Sequence, residues 1–189
     1  MTDYNKLYKG LTKAAWGYFF IYFDIHINTV SLLPSFIGYL LFLSAITALK
    51  EEERELSLLQ TLGVLLALWH GAEWFVSWFG GSLDGAWQFC DIVISLVNLY
   101  FHFQLLTNLA AIAKKHQPEG YELDEKLLRY RTLQTVMQTA ILIVTCLYPW
   151  LSELWVYISL GMLIVYVIAG LCLMKALFDL RKCLPRETE

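Results

Sequence analysis

Long apolar segments constrain the fold of this chain more than any motif does. Hydrophobic residues make up 58% of its 189 residues and charged residues 16%, against roughly 45–50% and 25% in an ordinary soluble domain. A helix needs about 20 apolar residues to cross a bilayer, and six segments reach or approach that length. We therefore predict an all-α polytopic membrane protein, a bundle of six transmembrane helices in one transmembrane domain, residues 1–189. The predicted helices cover residues 8–27, 34–50, 56–79, 86–113, 130–151 and 154–181.

The basic residues predict how these helices are oriented. All 14 lysines and arginines fall on one side of the bundle if the chain crosses twice between residues 14 and 49. A single crossing would place Lys13 and Lys50 on opposite sides. Because lysine and arginine concentrate in the cytoplasmic loops of membrane proteins, we predict six spans with both the N- and C-termini in the cytoplasm.

The stretch FDIHINTVSLLPSFIGYLL, residues 23–41, is where the chain must turn between the first two helices. Proline is tolerated in the first turn of a helix, so Pro34 is expected to begin the second helix. Asn28 and its polar neighbours have side chains that satisfy backbone groups at a bend. Asp24 and His26 are therefore expected at the outer end of helix 1.

The run FDIHINTVSLLPSFIGYLLFLSAITAL resembles the N-terminal signature of a family of small multi-pass membrane proteins common in Firmicutes, in which D-x-x-I/L is followed by LP-D/S-FIGY. It covers about the first quarter of the chain, and Ser35 stands where an aspartate is expected. In length and helix count the chain is also similar to the substrate-binding S components of energy-coupling-factor vitamin transporters. The family signature implies a multi-pass protein of the bacterial plasma (inner) membrane and specifies no function.

Polar side chains inside the predicted spans are the candidate functional residues. Ionisable groups at membrane depth cost at least ~2.5–3.5 kcal/mol each and usually face the bundle interior. His70 and Glu73, three residues apart, share one face of helix 3. A polar stripe on helix 4 lies within an arc of about 80°, and helix 5 has a third polar face. The helix 4 stripe is Gln88, Asp91, Ser95, Asn98 and His102, and the helix 5 face is Arg131, Gln134, Gln138 and Thr145.

Helix direction places several of these side chains in the outer half of the bilayer, where we predict an outward-facing polar cavity among helices 1, 3 and 4. Hydrogen bonds between helices are the alternative role for such residues, above all for Asn98 and the helix 5 glutamines. The predicted solute-binding or cation-binding residues are His70, Glu73, Asp91, Asn98 and His102.

The same region permits a divalent metal, since histidine with aspartate and glutamate suits zinc, manganese or iron. The H-E-x-x-H pattern of familiar membrane metallohydrolases is absent from the sequence. Asp91 and His102 lie about 16 Å apart along one helix, so they form no catalytic triad with Ser95, and we predict no catalytic residue. The predicted metal ligands are His70, Glu73, Asp91, Asp24 and His26.

The four cysteines follow no C-x-x-C spacing, so neither a redox pair nor a cysteine zinc site is indicated. Cys90 and Cys146 both fall near the outer ends of their predicted helices. A disulfide between them and two free packing residues are both compatible with the sequence.

The predicted function is binding or transport of a small solute or cation, with Glu73 and Asp91 as carboxylates and His70 as ligand or proton carrier. A non-catalytic partner or regulatory subunit and a membrane-embedded metalloenzyme remain open, and an enzyme is the less favoured class. The expected partners are the lipid bilayer, the solute or cation, and another membrane protein subunit. Nucleic acid is not expected, because the basic residues are dispersed along the membrane edges.

Overall fold

The computed structural model describes residues 3–23, 26–27, 30–31, 34–79, 81, 88–147 and 154–185. Within this part of the chain six α-helices are present, as predicted. A short 3₁₀ helix and a β-hairpin with two residues in each strand lie between them. The helices are α1 Tyr4–Tyr22, α2 Ser35–Leu49, α3 Leu58–Trp78, α4 Gln88–His116, α5 Leu123–Leu147 and α6 Leu154–Lys182, the 3₁₀ helix is Arg54–Ser57, and the strands are β1 His26–Ile27 and β2 Val30–Ser31.

The chain reverses direction between α1 and α2, which confirms the predicted turn. Strands β1 and β2 pair antiparallel, with His26 opposite Ser31 and Ile27 opposite Val30. Helix α1 ends at Tyr22, five residues earlier than predicted, so the expectation that His26 ends helix 1 is wrong. The backbone of His26 pairs in the hairpin instead of continuing the helix. Asp24, Asn28 and Thr29 lie outside the described residues.

At the charged end of the bundle α5 begins at Leu123, seven residues earlier than predicted. The side-chain oxygen of Gln117 accepts hydrogen bonds from the backbone N–H groups of Leu123 (2.8 Å) and Asp124 (3.2 Å). Gln117 also donates to the Asp124 carboxylate, and this hydrogen bond holds the pKa of that carboxyl below its usual value. Leu123 and Leu127, four residues apart, are buried, so the charged segment before residue 130 forms the amphipathic first turns of α5.

The six helices form a ring. Each helix packs against the next one in the sequence, and α6 closes the ring against α1. The interior is filled by large side chains that are fully buried, so that residues distant in sequence meet at its centre. These include Tyr18, Tyr39, Phe42, Phe101, Leu11 and Ile46.

Polar contacts gather the charged helix termini at one end of this ring, which we call the basic end. The Lys6 ammonium of α1 lies 3.3 Å from the Glu51 carboxylate just after α2. Lys115, near the end of α4, lies 3.0 Å from Glu53. Arg181, near the end of α6, donates to Thr12 of α1 at 3.3 Å. Odd-numbered helices therefore begin at the basic end and even-numbered helices end there.

The outer surface of the ring is apolar. Among the described residues, two helical segments, Phe89–His116 and Leu160–Lys182, are long and apolar enough to cross a membrane. Only 28% and 33% of the most apolar stretch of each segment is buried. Exposed large hydrophobic side chains are spread over several helices, and include Leu68, Phe75, Phe79, Phe89, Leu96, Val136, Ile143, Leu160, Ile164 and Ile168.

Glycines allow α1 and α2 to approach closely. A Cβ atom added to Gly17 would lie 2.6 Å from the Phe42 ring, and one added to Gly38 would lie 2.9 Å from the carbonyl oxygen of Gly17. Both distances are shorter than a van der Waals contact, so the packing of α1 on α2 requires these glycines.

We expect Gly17→Leu to lower the free energy of unfolding by about 1–3 kcal/mol, because the larger side chain overpacks the α1–α2 contact. Gly161→Leu is the matched control, since an added Cβ there meets nothing within 4 Å. Thermal unfolding of the detergent-solubilised protein measures both effects. An equal loss in the two variants would contradict the close packing of α1 on α2.

Candidate functional site

Polar side chains from all six helices line the interior of the ring in what we call the interior polar column. Each helix contributes one or two of them, and the column runs across the ring from α3 to α5. Its members are Tyr18 and Tyr22 of α1, Tyr39 of α2, His70 and Glu73 of α3, Asn98 and His102 of α4, Gln134 and Gln138 of α5, and Tyr166 of α6.

The α3 part of the column is a histidine–glutamate pair. Nδ1 of His70 lies 2.8 Å from Oε2 of Glu73, and the Trp69 indole N–H donates to the other carboxylate oxygen at 2.7 Å. The helical spacings of three and four residues place these groups on one face. The side chains of His70 and Glu73 are 22% and 36% exposed, so this pair is partly accessible. On its inner side the His70 ring stacks on Tyr39, with centroids 5.0 Å apart and planes 1° apart.

The centre of the column lies between α2 and α4. The Tyr39 hydroxyl donates to the Asn98 side-chain oxygen at 2.7 Å. One helical turn further along α4, His102 is only 1% exposed. Aromatic rings surround its imidazole, with the centroid of Phe101 at 5.4 Å, Tyr18 at 5.5 Å and Phe42 at 5.6 Å.

On the far side of the column, α5 and α6 contribute amide and phenol groups. Gln138 of α5 donates to the Tyr166 hydroxyl of α6 at 2.8 Å. The Tyr166 ring lies 4.8 Å from that of Tyr22, which in turn stacks on Tyr18 at 6.0 Å. Gln134, one turn from Gln138, is 2% exposed. Tyrosine rings thus connect the α5 amides to the imidazole of α4.

Several buried polar atoms in the column have no hydrogen-bond partner among the described residues. They are the Tyr18 hydroxyl, Nε2 of His70, both ring nitrogens of His102 and both amide atoms of Gln134. A buried donor or acceptor without a partner costs roughly 1–3 kcal/mol, and most such groups in proteins are satisfied. Unpaired groups from four helices in one region are the arrangement expected of a binding site whose ligand completes the hydrogen bonds.

The structure brings together four of the residues predicted to bind a solute or cation. His70 and Glu73 form a direct pair, and Asn98 and His102 lie in the same column. Asp91 is half-buried, on the face of α4 that carries Asn98 and His102. A groove of about 520 Å³ lies elsewhere, on α5, lined by Leu128, Arg129, Thr132, Leu133 and Val136. The predicted outward-facing cavity stays a prediction.

The metal site also stays a prediction. Among the described side chains no group of three or more histidine, cysteine, aspartate or glutamate residues is placed to hold an ion. Two of the five predicted ligands are not covered by this statement, because Asp24 and the side chain of His26 lie outside the described residues. His70 and Glu73 are the predicted ligands that are in contact. Cys90 and Cys146 are free thiols in this structure.

Sequence reasoning missed the tyrosines of the column. Tyr18, Tyr22, Tyr39 and Tyr166 lie within apolar segments and were not distinguished from lipid-facing aromatic residues. The spacing of Tyr18 and Tyr22 by one helical turn indicates a shared face, but the sequence does not say that this face points inward. The sequence also gives no sign of the contact of His116, whose side chain is 11% exposed and pairs with Glu52 at 3.2 Å.

Comparisons with protein-family models, with curated proteins and with solved structures find no match to this chain. The inference of function therefore rests on the geometry of the column and on the surface that surrounds it.

Opposite effects on stability are expected from two substitutions in the column. His102→Leu should raise the free energy of unfolding by about 1 kcal/mol, because it removes two buried unpaired nitrogens. Asn98→Leu should lower it by about the same amount, because it breaks the hydrogen bond from Tyr39 and leaves that hydroxyl unpaired. Thermal unfolding of both variants beside the wild type checks the signs. A destabilised His102→Leu would indicate that this imidazole has a structural partner.

Proposed function

We propose that this chain is a six-span protein of the bacterial plasma membrane, with both termini in the cytoplasm, that binds or moves a small solute or cation at the interior polar column. The observation that carries the proposal is the set of buried polar atoms without a hydrogen-bond partner among the described residues, on Tyr18, His70, His102 and Gln134.

The surface of the ring supports a membrane location. Soluble monomers seldom expose large contiguous apolar patches, whereas this ring exposes apolar side chains on helices around its circumference. The basic residues of α1, α4, α5 and α6 lie at one end, as expected of a cytoplasmic face. Trp78 and Trp155 are 59% and 39% exposed and lie near the opposite end, where an interfacial belt of tryptophans is expected.

The column contains polar groups that are hydrogen-bonded to each other and polar groups that are not, and we assign helix packing to the first kind and ligand binding to the second. Tyr39 with Asn98 and Gln138 with Tyr166 are complete hydrogen bonds between neighbouring or facing helices, and these stabilise the ring. His102 is different, since a fully buried imidazole without a partner adds no stability to the packing. The two buried nitrogens without a partner among the described residues favour a ligand that bonds to them.

Glu73 is the residue best placed to attract a cation. Its carboxylate is the exposed end of the column, and the adjoining His70 has its second ring nitrogen unpaired toward the interior. A negative charge at the mouth of a low-dielectric site raises the local concentration of cations. A cation or a polar solute that reaches Glu73 would next meet His70 and Tyr39.

Cysteine labelling tests the proposed topology. In a background without the four native cysteines, Phe79→Cys should react with a membrane-impermeant maleimide added to intact cells, because Phe79 is exposed at the end of α3 opposite the basic end. Glu119→Cys, in the connector between α4 and α5, should react only after the membrane is permeabilised. Equal labelling of both positions in intact cells would contradict a six-span protein.

Charge movement tests the proposed binding. The purified protein is reconstituted into liposomes on a solid-supported membrane, and the concentration of Na⁺, K⁺, Mn²⁺ or Zn²⁺, or the pH, is changed rapidly. At least one should produce a transient current that Glu73→Gln reduces by about tenfold or more, because the carboxylate that bonds the cation is lost. Glu125→Gln is the matched control, since Glu125 is an exposed carboxylate that pairs with Arg129 at the basic end.

Absence of current with every probe, in protein that passes the topology test, would contradict cation binding. It would favour the second candidate, a non-catalytic partner subunit, in which the exposed apolar face of α6 contacts another membrane protein.

A further inference from the structure

The segment that joins α2 to α3 at the basic end is rich in glutamate, and we call it the acidic connector. It is residues 50–57, KEEERELS, between α2 and α3. Its 3₁₀ helix packs against α2, α3 and α4, in the position that earlier turns of α3 would otherwise occupy. Leu56 is 0% exposed and joins the hydrophobic core. At the basic end the connector therefore packs between α2 and α4 and places an apolar side chain in the interior of the ring.

Side-chain contacts hold the connector to the last turn of α4. The Lys115 ammonium donates to the backbone carbonyl of Glu52 at 2.8 Å and to the Glu53 carboxylate at 3.0 Å. Nε2 of His116 lies 3.2 Å from the Glu52 carboxylate, and the His116 ring packs against the edge of Tyr4 from α1, with centroids 6.0 Å apart. The connector, which follows α2 directly, is thus attached to α4, and these two helices are not neighbours in the ring.

Further contacts extend this attachment in both directions. Gln104 of α4 donates to the Glu55 carboxylate at 2.9 Å, so the attachment covers about 18 Å of α4. On the other side, the Lys6 ammonium of α1 lies 3.3 Å from Glu51. Partly exposed contacts of this kind are individually weak.

The region behind the connector leads toward the interior polar column. Ala113 is 0% exposed and lies eleven residues, or about three turns, from His102 on the same face of α4. Leu109 lies between them on that face and is also fully buried. These buried apolar side chains lie between His102 and the basic end.

We propose that the acidic connector is the cytoplasmic gate of the interior polar column. The structure has the gate closed, with Leu56 in the core and Glu52 and Glu53 bound to α4. Release of the connector opens the wall between α2 and α4 and gives the column access to the cytoplasm. This inference rests on the proposed function, since it assumes that the column exchanges a solute and that the basic end is cytoplasmic.

Accessibility of a cysteine at Ala113 tests the gate. Ala113→Cys in a cysteine-free background is placed in inside-out vesicles and treated with a small, charged, membrane-impermeant methanethiosulfonate. In the release variant, Lys115→Gln with His116→Gln, the labelling rate should rise on the order of tenfold, because the contacts to Glu52 and Glu53 are lost. The matched control, Arg129→Gln with Lys182→Gln, removes two ion pairs elsewhere at the same end and should label at the rate of the parent.

An unchanged rate in a folded release variant would overturn the gate, and so would a parent rate equal to that of the exposed Glu119→Cys. If the release variant does not fold, Leu56→Ala replaces it with the same expectation, because it removes the buried side chain without changing a charge. Labelling needs no solute. A gate that fails this test therefore leaves the charge-movement result standing, and missing charge movement leaves the labelling result interpretable.

Discussion

The rest of the structure depends on one constraint, the placement of polar groups in a ring whose outer surface is apolar. The lysines and arginines lie at the basic end, whereas Glu73 and the uncharged hydrogen-bonding groups of the column lie between the helices. An apolar solvent cannot satisfy a polar group, so in the proposed bilayer each buried group needs a partner inside the ring. Tyr39 and Asn98 meet this requirement by bonding to each other across the ring. His102 and Tyr18 do not meet it within the described residues.

This contrast connects packing with function. Tyr39, Phe42 and Phe101 surround His102 with aromatic rings, which hold the imidazole in place without bonding to its nitrogens. A ring optimised for stability alone would have an apolar side chain at position 102, since exchange of an unpaired polar group for an apolar one is commonly stabilising. The close packing of α1 on α2 at Gly17 and Gly38 supplies stability that can offset the cost of the unpaired groups.

Much of the fold could be predicted from the sequence, because charge distribution acts over the whole chain. The placement of Lys13 and Lys50 on one side required a turn between them, and the structure has that turn. The helix boundaries were harder to predict from the sequence. The apolar residues after Tyr22 continue the hydropathy of α1, so its end was set too late, and the charges around Leu123 and Leu127 concealed the start of α5.

The candidate site was predictable where the sequence spacing alone defines a contact. His70 and Glu73 are a pair on one helix, so their contact follows from helical geometry. The tyrosines were not predictable, because their contacts join different helices and depend on which face of each helix points inward. The pairing of His116 with Glu52 is also tertiary, since 64 residues separate the two.

The central claim, that the buried imidazole of His102 bonds to a ligand, can be tested by ¹⁵N nuclear magnetic resonance of the histidine-labelled protein in lipid nanodiscs. The chain has four histidines, so each signal can be assigned by single substitution. Addition of Na⁺, K⁺ or Zn²⁺ should shift the ring nitrogen signals of His102 and leave those of His116 unchanged for at least one of these cations. Signals of His102 that stay constant with every cation, while those of His70 or His116 move, would contradict the account.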